Sequence, residues 1–154
     1  MSDTNDASLL RRLMLALVVL ACVGLAAELL LLEHFESTLQ WLPLLVLGIA
    51  LVAALALMMR PSRGAIRAFQ LVMLIAVATG LLGIYLHYRG NSEFELEMEP
   101  TARGLGLLWS ALTGATPALA PAALAQVGLL GLLSTYRHPL LRRAQDSSTH
   151  ARHG

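Results

Sequence analysis

The 154 residues contain no lysine, and charged side chains of all kinds make up only 14% of the chain. A soluble domain of this length keeps a larger charged share to cover its surface, so the composition argues against a water-soluble fold. Cysteine occurs once, as Cys22, which excludes an internal disulfide and leaves a small residue suited to helix packing. The sequence has no Gly-rich phosphate loop, no HExxH, no GxSxG and no CxxCH, and without lysine it has no serine–lysine pair. No enzyme signature and no resident cofactor are therefore read. The arginines carry no interleaved aromatic pattern, so nucleic acid is not expected as a partner.

What is abundant is apolar sequence. Hydrophobic residues are 56% of the chain, mean hydropathy is +0.66, and the apolar residues come in runs. Four runs are each about the ~20 residues that cross a bilayer, at roughly 13–32, 39–59, 66–86 and 117–136. The expected fold is an all-α integral membrane protein, a four-transmembrane-helix bundle over 13–137, preceded by a short segment 1–12 and followed by a polar tail 138–154. The fourth run is the weakest, because Pro121 either kinks it or delays its start. Arg11 and Arg12 ahead of an apolar run ending at Cys22 imitate a lipoprotein signal. The apolar VGLAAELLLL after the cysteine favours an uncleaved first helix instead.

Arginine placement gives an orientation. Arg11, Arg12, Arg60, Arg63, Arg67, Arg137, Arg142 and Arg143 fall on one side if all four runs cross, and only Arg89 and Arg103 on the other. By the positive-inside rule both termini are expected in the cytoplasm, in a bacterial inner (plasma) membrane. The opposite side is acidic, with Glu33 and Glu36 in the first turn and Glu93, Glu95, Glu97 and Glu99 in the third connection. Tyr85, Tyr88 and Trp41 fit an interfacial belt there.

The third connection, 87–116, is long. Its glutamates alternate with Phe94, Leu96 and Met98, which predicts an extended, strand-like segment. After Pro100, Leu105, Leu108, Trp109 and Leu112 recur at helical spacing, predicting an amphipathic helix on the outer face. Thr116 and Pro117 read as the N-cap and first residue of the fourth helix.

Few residues offer chemistry. Glu28 lies about a turn inside the first run; a carboxylate at mid-bilayer costs on the order of 2.5–3.5 kcal/mol, less at this depth, which favours pairing, protonation or water. Ala21 and Gly24 share its face, while Gly80 and Gly83 share that of His87, which permits a Glu28–His87 contact if the first and third helices pack. Both residues are candidates for a proton or cation site. His34 and His87, with Glu33 and Glu36, form a candidate metal set, and paired imidazoles are a candidate haem site. Gly24, Gly80, Gly83 and Gln126 are candidate helix-packing positions, and His150 and His153 belong to the tail.

The function expected from these features is that of an accessory, scaffolding or assembly subunit of a larger membrane complex. Its partners would be the bilayer and either another membrane protein or a second copy. The alternatives are an oligomeric small transporter that uses Glu28, or an outer-face metal or haem protein that uses His34 and His87.

Overall fold

A computed structural model describes residues 2–114 and 116–141, with side chains from residue 5 onward. It contains five α-helices: α1 (Ser2–Leu31), α2 (Thr38–Met59), α3 (Arg63–Met98), α4 (Gly104–Leu112) and α5 (Ala122–Ser134). No strand occurs among the described residues. Arg142, Arg143, His150 and His153 lie outside them.

Helices α1, α2 and α3 are long and apolar enough to cross a membrane. α5 is apolar but has 13 residues, roughly 20 Å at 1.5 Å per residue, against a hydrocarbon core of about 30 Å. The fourth run is therefore only partly helical. Pro121 delays the helix and does not kink it: it occupies the N-cap, and helix begins at Ala122.

α1 and α3 each pack against α2 and α5, in the ring order α1–α2–α3–α5, and share no substantial interface of their own. The direct packing of the first and third helices, on which a Glu28–His87 contact depends, is not made. The core draws on Val18 and Cys22 of α1, Leu47 and Ala50 of α2, and Phe69 and Met73 of α3. Of these, Phe69 and Met73 lie near the arginine-rich start of α3, and the α1 and α2 residues lie near the middle of their helices. Leucines elsewhere on α1–α3 point outward, as they do in helices solvated by lipid.

The tightest interface is between α3 and α5, and glycine makes it possible. A Cβ on Gly80 would stand 2.6 Å from the backbone nitrogen of Ala125, and one on Gly128 2.6 Å from the carbonyl oxygen of Met73. Gly83 abuts Pro121, and Gly131 abuts Met73. Small residues on both surfaces thus let two backbones approach.

The glutamate segment corrects the expectation of a strand. α3 continues through it to Met98 as one helix of 36 residues. Glu, Leu and Met are good helix formers, and extending an existing helix avoids the cost of a new nucleus, so the period-two pattern is overridden. On a helix the carboxylates do not share one face. Arg89 donates from Nε to Glu93 Oε1 at 2.7 Å, an i,i+4 pair. α4 does form where the helical spacing placed it.

Candidate functional site

The polar residues that stood out in the sequence gather at the acidic end. α1 closes with Glu33 in the left-handed region at φ 52°. The His34 N–H donates to Leu29 O at 2.9 Å and the Glu33 N–H to Leu30 O at 3.1 Å, a Schellman closure. That reversal carries His34 back over the bundle, where its ring centroid lies 6.2 Å from that of His87. Phe35 and Trp41 stack across the same turn at 6.0 Å. α2 then starts at its Ser37 N-cap, whose N–H donates to Gln40 Oε1 at 2.9 Å.

Beneath the two histidines is a cavity of about 850 Å³. Glu28, His34, Gln40, Thr79 and His87 supply polar groups to its lining, and Leu25, Leu29, Leu82, Leu86 and Pro43 supply apolar walls. Its origin is the short α5. In the acidic half, the fourth place in the ring is filled by the irregular stretch 116–121, where Pro117 and Pro121 have no N–H to give a helix. Pro43, inside α2, likewise leaves the Leu39 carbonyl without its intrahelical donor.

Asn91 holds this stretch in place. It is buried, and its Nδ2 donates to Ala111 O at 2.8 Å and to Thr116 O at 2.7 Å. Its Oδ1 accepts from the Thr116 hydroxyl at 2.6 Å and from the Thr116 N–H at 3.3 Å. Thr116 is therefore engaged with α3 and does not cap α5, which corrects the expected Thr116–Pro117 helix start. Sequence reasoning passed over Asn91, whose partners lie 20 and 25 residues further along the chain and leave no local signal.

Glu28 and His87 meet only as two linings of one cavity. Glu28 is exposed and His87 half-buried, with the Nδ1 of His87 lacking a hydrogen-bond partner. Glu33 and Glu36 are exposed on the turn. Among the described residues no three ligand-type side chains converge, so the paired imidazoles are not completed into a metal set by Glu33, Glu36 or Glu28. Gly80 and Gly83 sit inside the α3–α5 interface. A Cβ on Gly24 would meet nothing within 4 Å, and Gln126 is exposed on α5, so neither packs within the chain.

At the arginine-rich end, Gln70 Nε2 donates to Thr135 Oγ1 at 3.1 Å, and Arg63 Nε donates to Leu140 O at 3.0 Å. Residues 138–141 are thus docked on the start of α3 and are not a free tail. The chain matches no protein-family model, no curated protein and no solved structure.

Proposed function

We propose that the protein is an accessory or scaffolding subunit of a larger membrane complex, seated in a bacterial inner membrane with both termini cytoplasmic. In this reading the 116–121 stretch and α5 together make a fourth crossing. The docking of residues 135–141 beside the start of α3 supports an even number of crossings, and the arginines around that end support its cytoplasmic placement.

The observation that carries the partner reading is the length of α3. Its 36 residues extend about 54 Å, some 24 Å more than the hydrocarbon core requires. The excess lies at the acidic end, because Pro61 and Arg63 fix the other. It carries Phe94 and Met98 one turn apart, and α4 beside it carries Leu105 and Trp109 one turn apart, all four exposed. An apolar surface standing clear of the bilayer and edged with glutamate suits a protein partner. Gln126 and Gly24, open on the membrane flanks of α5 and α1, suit helix neighbours there.

The test is purification in mild detergent, with mass spectrometry of co-eluting proteins, for the wild type and for Phe94→Ser/Trp109→Ser. A stoichiometric partner lost in the double variant, with thermal stability unchanged, is the expected result. A strictly monomeric wild type would overturn the reading.

The cavity favours a second reading, an oligomeric transporter with Glu28 as its proton or cation site. Proton-coupled flux that survives Glu28→Gln would exclude it.

A further inference from the structure

The cavity at the acidic end differs from the gaps between loosely packed helices in how its charge is distributed. Glu28 is the one ionisable acid in the lining, and no arginine joins it. The other polar groups there are on Gln40, Thr79, Thr116, His34 and His87, with no lysine or arginine among them. The remaining walls are leucine, proline, alanine and glycine. A volume of about 850 Å³ with a few convergent polar groups among apolar walls is the size and character of a small-molecule site.

The charge decides what kind of molecule fits. The Glu28 carboxylate is exposed at this chamber near the end of α1, and it makes no ion pair among the described residues. Arg89 is already paired with Glu93 on α3. A cation entering the chamber restores to Glu28 the counter-charge it lacks, while leucine walls cover the ligand's apolar body. An anionic amphiphile, such as a lipid phosphate, meets Glu28 with no arginine or lysine in the lining to offset the repulsion. Glu33 and Glu36, exposed on the turn that follows α1, add to the same sign of potential and steer cations inward.

From this we infer that the chamber between α1 and α3 is a binding site for a lipophilic organic monocation, with Glu28 as its counter-charge. The inference deepens the transport reading of the same site and is independent of the partner surface on α3 and α4. It requires binding only, not flux.

Two ions of closely similar size and opposite charge, tetraphenylphosphonium and tetraphenylborate, separate charge from greasiness. Equilibrium dialysis of the full chain in neutral detergent, against empty micelles, reads saturable binding of each. The expected result is one tetraphenylphosphonium per chain, weakened at least about tenfold by Glu28→Gln, and no saturable site for tetraphenylborate. Glu28 is exposed, so this substitution leaves the fold intact. Leu29→Trp, which fills the chamber, is expected to abolish the site while Glu28 remains.

Absence of saturable cation binding, equal binding of both ions, or binding undiminished in Glu28→Gln would each overturn the proposal. So would a co-purified phospholipid that excess tetraphenylphosphonium fails to displace, which would make the chamber a lipid site. Glu28-dependent proton flux without cation binding would sink this inference and leave the transport reading standing.

Discussion

Asn91 connects three parts of the acidic end through one side chain. With Asn91→Ala, the carbonyls of Ala111 and Thr116 and the Thr116 hydroxyl lose their partner where water has little access. The cost expected is about 1–3 kcal/mol, read as a lower midpoint in detergent unfolding, with the stretch 111–121 becoming open to protease first. A second residue acts at the other end. Burial, with Arg11 nearby, holds the His138 imidazole below the ordinary histidine value, and its Nδ1 accepts the Leu140 N–H at 3.3 Å. Above about pH 6.5 the ring is neutral in both folded and unfolded chains, and the docking is fully present. As pH falls below that value the unfolded chain binds the proton first, so stability declines until the depressed folded value is passed. Thermal stability measured from pH 8 to pH 5 is expected to fall more in the wild type than in His138→Gln. Equal slopes would remove His138 from the account.

Among the elements, α3 and α5 depend on each other through glycine. Gly128→Ala places a methyl against the Met73 carbonyl and Val77, backbone and β-branched groups that have little room to give. Overpacking of this kind costs about 1–3 kcal/mol, so the variant is expected to lose thermal stability, whereas Gly24→Ala, with open space around it, is expected to lose none. The helices were legible in the sequence because long apolar runs and arginine-flanked ends are strong, local signals. Gly80 and Gly83 were legible as a stripe, but their partner was not, since nothing local says that α5 and not α1 lies against them. The end of α3 misread as a strand because EFELEME alternates perfectly, and alternation cannot register that a helix is already running into it. The cavity was illegible for a further reason: it comes from a missing stretch of helix, and only assembled neighbours reveal a missing wall.

Across the whole molecule, the two ends of the bundle have different characters. The arginine-rich end is closed by packed apolar residues and by the docked 138–141 segment. The acidic end is held apart by prolines and an asparagine clamp, carries the chamber, and is overtopped by α3 and α4. This polarity brings every candidate property to one face: the partner surface, the chamber and its counter-charge.

The short α5 has one more implication. The chamber's capacity is set by where a helix begins, through Pro117 and Pro121, and only secondarily by the side chains that surround it. Size and selectivity are thus separable traits of this chain: the first can drift with one proline while Glu28 and the leucines stay as they are.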